Sequence, residues 1–281
     1  MTGSRTSVSN TAACRLSEKT MILVQEQRTT FASIGSLVVK LAETSQELEA
    51  AKRLRFEVFN LELQEGLLAS YDRGYDSDPY DTYCEHLVVR DNSINKVVGT
   101  YRLLRKSVAE KNIGFYSENE FDLSRVKRLY GESLEMGRSC VAHTHRNAIV
   151  IALLWQAIIN YAIQRDISFL FGCASLHEVE LEQIRPLFAF LKDHHYSRPE
   201  WRVEPVASCR LEIGESDIIS YDKRTMHKQL SPIIKGYLRT GALVCGPPAY
   251  DAEFGTADVF MMLEMRELAK RYRIHFEDRA A

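Results

Sequence analysis

The chain has 281 residues, of which 45% are hydrophobic and 26% charged, so it can bury one large core or two small ones. Its formal net charge of −2 excludes the strong overall positive field that draws a protein to nucleic acid. Six cysteines are scattered without a Cys-x-x-Cys pair, which argues against a zinc site or a disulfide framework and favours a reducing cytoplasm.

The N-terminal residues 1–35 are rich in serine and threonine and lack the long apolar run of a secretory signal, so we expect a flexible leader there. Residues 36–281 show no repeat and no Pro-rich linker, which favours a single domain. The longest apolar run, 148–159, is too short to span a bilayer and predicts a buried helix.

Strand-like and helix-like patterns alternate along residues 36–270 and predict a mixed sheet with helices on its faces. The predicted strands cover residues 36–41, 86–91, 97–104, 134–141, 167–176, 201–212 and 257–263. The predicted helices cover residues 44–63, 147–165, 178–194, 231–242 and 264–270, and Thr44 or Ser45 is expected to cap the first. Residues 70–82 and 110–122 are predicted loops, the second with a short helix. The pattern predicts one α/β domain.

The predicted strand 134–141 carries two charges, Glu135 and Arg138. Successive side chains of a strand alternate between its faces, but Gly137 allows a bulge that would bring both charges to one site. A charge on a central strand must be paired or solvated. The alternative interpretation is therefore a structural ion pair between Glu135 and a neighbouring arginine such as Arg102, and both interpretations stay open.

The predicted helix 147–165 follows this strand after a short loop. Its first backbone N–H groups would point at whatever occupies the mouth between strand and helix, and Arg146 adds a fixed positive charge there. The arrangement favours an anionic ligand.

Several ordered motifs resemble one family over roughly residues 40–276. The motifs are VGTYRLL at 98–104, EMGRSCV at 135–141, LLW at 153–155, LFGCAS at 170–175, PIIKGYLRTG at 232–241 and DAEFGTADV at 251–259. They resemble the GNAT-type ornithine N-acyltransferases, which use acyl carrier protein and make lyso-ornithine lipid. The resemblance implies a GNAT-like α/β fold, with a mixed, mostly antiparallel central sheet, splayed strands flanked by helices, and a C-terminal extension.

A second similarity is to the acyl-homoserine lactone synthases, which are related to the N-acyl amino acid synthases. Those synthases share an arginine and a phenylalanine on the first helix, an Asp-x-x-Asp pair, a strand arginine and a Glu-x-x-Arg strand. The matching positions here are Arg55, Phe59, Asp78, Asp81, Arg102, Glu135 and Arg138. Both resemblances imply transfer of a fatty acyl group from acyl carrier protein to the amine of an amino acid or its derivative.

The resemblance implies roles for these residues. Glu135 is the expected base, because an α-amine is mostly protonated near neutral pH and must lose a proton before it attacks. Backbone N–H groups between the splayed strands would stabilise the oxyanion. Arg55, Arg102 or Arg138 would bind the substrate carboxylate, and Asp78 or Asp81 its side-chain ammonium. The alternative for the two aspartates is a loop of ordinary turn formers, and Phe59 is expected to lie in the core.

The donor's phosphopantetheine arm is expected to lie along the strand edges and the start of the helix. The residues expected to contact it are Cys140, Val141, Arg146, Asn147 and Ser175. The loop at 142–147 lacks the glycines that wrap a pyrophosphate in acetyl-CoA-using GNAT proteins, which favours acyl carrier protein over coenzyme A. Basic residues that would meet an acidic carrier protein are Arg125, Lys127, Arg128 and Arg146, although ordinary surface charge is the alternative for each.

Metal and covalent chemistry are not expected. His143, His145, His194 and His195 lack carboxylates at a metal-ligand spacing. A Cys140–His143 nucleophile is disfavoured, because direct transfer explains the glutamate without an acyl-enzyme.

The sequence therefore predicts a cytoplasmic enzyme that transfers a long (3-hydroxy)acyl chain from acyl carrier protein to the α-amine of ornithine. The acyl-phosphopantetheine is then a co-substrate, no cofactor is tightly bound and nucleic acid is not a partner. The apolar stretch 67–71 is a candidate for peripheral contact with the inner face of the cytoplasmic membrane. The alternatives are another acceptor (tyrosine, glycine or lysine), a lactone-type signal synthase, and a non-enzymatic carrier-binding or haemolysin-like module.

Overall fold

The computed structural model describes residues 30–176, 180–213 and 220–268. Nine strands in these ranges form one sheet. The strands are β1 Thr30–Ile34, β2 Leu37–Leu41, β3 Glu85–Asp91, β4 Lys96–Arg105, β5 Glu132–Val141, β6 Ile167–Leu176, β7 Leu243–Val244, β8 Ala249–Asp251 and β9 Thr256–Glu264.

Helices flank the sheet. The α-helices are α1 Ser45–Phe56, α2 Ala69–Arg73, α3 Lys106–Ala109, α4 Ser124–Lys127, α5 Ala148–Gln164, α6 Leu181–His195, α7 Lys223–Gln229 and α8 Pro232–Thr240. Helix α1 continues as a π-helical segment, Glu57–Glu62, and single 3-10 turns include Pro79–Thr82 and Tyr116–Asn119.

The strand order is β1-β2-β3-β4-β5-β6-β9-β7, with β8 also paired to β9. Every pairing is antiparallel except β5 with β6, which is parallel and joined by α5. The expected GNAT-like α/β fold, with a mostly antiparallel sheet and helices on its faces, is confirmed.

The strands β5 and β6 separate halfway along their length. Their pairing ends at Glu135 opposite Phe171, while β5 continues beside β4 and β6 beside β9. A side chain on Gly172 would begin 2.2 Å from the carbonyl oxygen of Met136, so only glycine fits where the strands separate. Because each strand still pairs on its outer edge, half of its backbone groups face the gap.

The main core lies between the sheet and α5. The side chains of α5 buried there are Val150, Leu153, Leu154, Ala157, Ile158, Tyr161 and Ala162. On the other face a second core of Phe115, Phe121, Phe171 and Phe260 fixes the segment 115–121 against the sheet. That segment supplies part of the site described below.

Most predicted elements are confirmed, including Thr44 as the cap of α1, whose side chain accepts from the N–H of Glu47. The leader predicted through residue 35 is wrong for its last part, because β1 pairs there with β2. Residues 1–29 lie outside the described ranges.

Two segments were predicted wrongly as uniform elements. Residues 201–212 form no strand; this stretch contains the end of one 3-10 turn, Pro199–Trp201, and all of another, Ala207–Cys209. It makes isolated bridges with Phe121, outside the sheet, and with Ala249 of β8. The predicted loop 70–82 contains α2 and the turn Pro79–Thr82.

None of the helices within the three described ranges combines the length and apolar character that crossing a bilayer requires.

Candidate functional site

A cavity of about 460 Å³ opens where β5 and β6 separate, a size typical of small-molecule sites. The sequence-predicted residues that line it are Arg102, Glu135, Arg138, Cys140, Val141, Arg146 and Ser175. Four other predicted residues, Arg55, Asp78, Asp81 and Asn147, do not belong to its lining.

A bulge in β5 brings Glu135 and Arg138 to the same cavity. Thr100 pairs with Cys140 and Arg102 with Gly137, so Arg138 and its neighbour at 139 together stand opposite one residue of β4. The backbone of Arg138 is left-handed, with φ of 50°, which is strained for a residue other than glycine. The bulge predicted from Gly137 is present, but Arg138 itself adopts the unusual conformation.

Arg55 lies behind the cavity wall, fully buried, between two aspartates. Its Nε is 2.6 Å from the carboxylate of Asp76, and its two Nη atoms donate to Asp81 at 2.8 and 2.9 Å. Burial of Asp81 opposes its ionisation, but hydrogen bonds from Arg55 and nearby positive charge outweigh this and hold its pKa well below the usual range. This buried ion-pair network fixes the first helix to the loop that carries the two aspartates.

Arg102 and Arg138 converge on Asp78. Nη1 of Arg102 lies 2.6 Å from both carboxylate oxygens of Asp78, and Nη2 of Arg138 lies 2.9 Å from one of them. The rings of Tyr116 and Phe254 face the guanidinium of Arg138, with centroids 5.0 and 4.3 Å away. Both arginines therefore reach the cavity with fixed orientations.

These contacts bear on the ammonium-binding role predicted for Asp78 and Asp81. Both carboxylates are already paired with arginines, and neither lines the cavity. The geometry favours a role in orienting Arg102 and Arg138 over direct contact with a substrate cation.

Glu135 is 5% exposed and is held by the 3-10 turn at Tyr116–Asn119. One carboxylate oxygen accepts from the N–H and hydroxyl of Ser117 at 2.7 and 2.6 Å, and the other from the N–H of Tyr116 at 2.8 Å. Within the described ranges it makes no ion pair with Arg102, so the structural ion pair considered above is not observed. Burial raises the pKa of Glu135, although the bonds from Ser117 and Tyr116 oppose the rise.

The side of the cavity predicted to bind the acyl donor offers less free positive charge than the sequence suggested. Arg146 is exposed, pairs with Glu62 and donates from Nε to the carbonyl of Val141 at 2.9 Å. Asn147 caps α5, its side chain accepting from the N–H groups of Ile149 and Val150. These contacts already occupy part of the anion-binding potential of this helix end.

Cys140 is poorly suited to nucleophilic chemistry. It is buried, and burial raises the pKa of its thiol to about 12. A thiol that stays protonated near neutral pH is a weak nucleophile.

The far end of the cavity is apolar. Ile151, Leu154 and Trp155 of α5 face Ile233 and Tyr237 of α8. The ring of Trp155 packs edge-on against Tyr237 with centroids 5.2 Å apart, and this wall suits a hydrocarbon chain.

The sequence analysis missed an acidic cluster at the wall of the cavity. Asp251 and Asp258 line the cavity with Cys173, and a carboxylate oxygen of Glu120, an oxygen of Asp258 and the sulfur of Cys173 lie within 4.8 Å of one another. Burial, reinforced by the charge of Asp251, raises the pKa of Asp258 to about 6. Burial and the charges of the same two aspartates raise the pKa of Glu120.

Other residues were missed as well, each for an identifiable reason. Asp76 stands two residues before the recognised Asp-x-x-Asp pair. Ser117 and Tyr116 lie in a stretch predicted as a loop, where the sequence does not show which strand it meets. Asp258 did give a signal, since it is the one charge within the apolar strand predicted at 257–263.

The chain is similar to known proteins over most of its length. A family profile described as "Acetyltransferase (GNAT) domain" matches residues 54–156. The L-ornithine N(alpha)-acyltransferase of Agrobacterium fabrum is 37% identical over 259 residues, covering 88% of this chain and 87% of the relative. The enzyme of the same name from Brucella abortus is 35% identical over 249 residues, covering 85% and 88%. Among solved structures, an N-acyl amino acid synthase from uncultured soil microbes matches 83% of this chain and 92% of its own, with 11% identity and a TM-score of 0.48.

Proposed function

Because the chain belongs to the family of L-ornithine N(alpha)-acyltransferases, we propose that it joins a fatty acyl group to the α-amine of L-ornithine and so opens ornithine lipid synthesis. It is a GNAT-type N-acyltransferase. The observation that carries the reaction is the carboxylate of Glu135, buried in the wall of the cavity between the parted strands β5 and β6.

Glu135 is the proposed base. Its raised pKa makes it a better proton acceptor than an ordinary carboxylate, and Ser117 and Tyr116 fix its position. Glu135 first takes a proton from the ammonium, directly or through one water, and the neutral nitrogen then attacks and forms its bond to the acyl carbon. The carbon–sulfur bond then breaks, and the thiolate leaves and takes up the second proton, which the nitrogen loses as the amide forms.

The oxyanion of this reaction would meet backbone N–H groups in the gap beyond Gly172. Residues 137–141 of β5 and 172–176 of β6 pair on their outer edges, so alternate N–H groups are directed into the gap. Such preorganised donors stabilise developing negative charge without reorganising.

The proposed partner of the substrate carboxylate is the guanidinium of Arg138, assisted by Arg102. Both line the cavity, and Asp78 fixes both. In this proposal Asp78 and Asp81 orient the arginines, while Arg55 anchors Asp81 from behind.

The proposed donor is an acyl group on acyl carrier protein. The loop 142–147 has no glycine with which to wrap a pyrophosphate, and Arg125 and Arg128 on α4 and next to it are exposed. The arm would pass Cys140, Val141 and Ser175, with the chain between Trp155 and Tyr237.

Peripheral contact with a membrane is a further part of the proposal. Four large apolar side chains follow α1 and are exposed, Leu61 at 57%, Leu63 at 39%, Leu68 at 84% and Tyr71 at 49%. A product with one greasy chain would be released into lipid at such a surface. Co-sedimentation with anionic liposomes tests this contact. If wild type and Leu68→Ser are recovered in the supernatant in equal amounts, Leu68 does not mediate binding to the membrane and this part of the proposal is contradicted.

The acceptor and donor are tested together by mass spectrometry. Purified protein is incubated with 3-hydroxyacyl carrier protein or the matching acyl-CoA, and with ornithine, lysine, glycine or tyrosine in separate reactions. The expected product is N-acyl-ornithine from the carrier protein. Product with another amino acid would change the assigned acceptor. Equal rates from acyl-CoA would show that acyl carrier protein is not required. No product from any pair would refute the proposed acyltransferase activity.

A further inference from the structure

The acidic cluster brings together three buried acids, and no cation from the described residues pairs with them. Neither carboxylate oxygen of Glu120 accepts a hydrogen bond from any residue in the described ranges, although the side chain is only 3% exposed. A buried carboxylate without a partner is costly and rare. Its polar neighbour in the cluster, the thiol of Cys173, is a weak donor directed at Ser117 at 3.4 Å.

The two neighbouring aspartates are hydrogen-bonded elsewhere. Asp258 accepts from the hydroxyl of Thr256 at 2.8 Å, and Asp251 caps the turn at Glu253 and Phe254. Across the described part of the chain, no lysine or arginine forms an ion pair with any of the three acids. The arginines that reach the cavity are instead occupied by Asp76, Asp78 and Glu62.

We propose that Asp258 and Asp251, with Glu120 behind them, form the subsite for the side-chain ammonium of the acceptor amino acid. The inference rests on the proposed function, because it assigns one end of the same substrate. It replaces Asp78 and Asp81, whose carboxylates are saturated by arginines, as the acids that select ornithine.

Tyr116 places this subsite at a defined distance from the carboxylate-binding side. Its ring packs on the guanidinium of Arg138, and its hydroxyl donates to Asp251 at 3.3 Å. An amino acid with its carboxylate at Arg138 and its α-amine toward Glu135 therefore extends its side chain along Tyr116 toward the acids. A terminal ammonium supplies the cation that the described part of the site lacks, whereas an apolar terminus leaves the three buried acids without a cation and Glu120 without any partner.

The expected consequence is selectivity for a cationic side chain. Charge-assisted hydrogen bonds contribute enough to favour ornithine over its uncharged counterpart norvaline by roughly tenfold to hundredfold in kcat/KM. In Asp258→Asn and Glu120→Gln this preference should fall toward equality, mainly through a higher KM for ornithine, while norvaline is acylated as well as before or better.

The experiment measures kcat/KM for ornithine and norvaline with wild type, both variants and Glu47→Gln. Glu47 is a matched control, since it is 7% exposed but pairs with Lys40 and Arg90 away from the cavity. An unfolding scan of wild type with each amino acid gives a reading that needs no variant, and ornithine should raise Tm more than norvaline. Metal content of the purified protein is measured in parallel.

The outcomes separate the two proposals. Loss of preference in the two cavity variants but not in Glu47→Gln supports the subsite. Acylation of ornithine with an unchanged preference in both variants, or equal Tm shifts from the two amino acids, overturns the subsite and leaves the enzyme intact. A stoichiometric metal that Glu120→Gln loses also overturns it, while wild type that acylates neither amino acid overturns the proposed function and the subsite with it.

Discussion

Replacing Asp258 with asparagine should stabilise the folded protein at neutral and alkaline pH. The carboxylate is buried, and its pKa in the folded state is about 6 against an ordinary 3.8. At 1.36 kcal/mol for each pKa unit, ionised Asp258 lowers the free energy of unfolding by about 3 kcal/mol. Asparagine keeps an oxygen for the Thr256 hydroxyl and removes the charge.

The effect depends on pH with a definite sign. Between about pH 4 and pH 6 the folded state keeps a proton that the unfolded state has released, so wild type loses stability as pH rises through this window. Asparagine has no such step. The advantage of Asp258→Asn should therefore be largest at about pH 8 and disappear below about pH 4. Glu120 titrates together with Asp258, so the step belongs to the pair.

Urea unfolding of wild type and Asp258→Asn at about pH 8 and about pH 4 measures this difference in the free energy of unfolding directly. Glu253→Gln is the control, because Glu253 is an exposed acid in the neighbouring turn and its loss should change stability by less than about 0.5 kcal/mol. If Asp258→Asn is destabilised at pH 8, or if its advantage persists in acid, then Asp258 has a stabilising partner in the folded protein and the reasoning fails. The gain in stability should come with the loss of ornithine preference, as expected for a charge kept for function.

Three further substitutions test the site and its frame. Glu135→Gln should lower kcat by roughly 10²–10⁴-fold and abolish the loss of activity that wild type shows as pH falls through the raised pKa of Glu135; a pH profile of product formation that keeps this acid limb would contradict a base role. Asp81→Ala leaves Arg55 buried with Asp76 alone and should cost about 3 kcal/mol or more in urea unfolding, and a neutral result would show that water replaces the carboxylate. Gly172→Ala should destabilise by about 3 kcal/mol, because its Cβ meets backbone rather than a flexible side chain, and unchanged stability would mean that the strands part more widely than described.

The central unit of the fold was predictable because its signals are local. The apolar runs of β5, α5 and β6, the cap at Asn147 and the glycine at 137 each act within a few residues of themselves. Charges within an otherwise apolar strand likewise indicate Glu135 and Arg138 as functional candidates from the sequence alone.

The contacts that complete the site join residues far apart in the sequence, and the hydrophobic periodicity of the sequence does not predict them. Glu135 is held by residues 116–117, which lie nearly twenty positions earlier in an irregular segment. The sequence analysis assigned Asp78 to a substrate ammonium because no pattern near it in the sequence predicts that two strand arginines converge on it. The stretch 201–212 has strand-like composition, but it forms only isolated bridges, one with Phe121 and one with Ala249 of β8, so composition alone misled.

The position of β9 has a consequence for how the protein matures. This strand comes last in the described chain, yet it inserts between β6 and β7 and is buried from Thr256 to Leu263. A chain emerging from the ribosome can form β1 to β6 while β6 still presents an open edge, a template for pairing with other chains. The same strand that closes this edge brings Asp258, so the sheet becomes protected and the acceptor subsite becomes complete in one event. A nascent or C-terminally shortened chain would accordingly be aggregation-prone and unable to select its substrate.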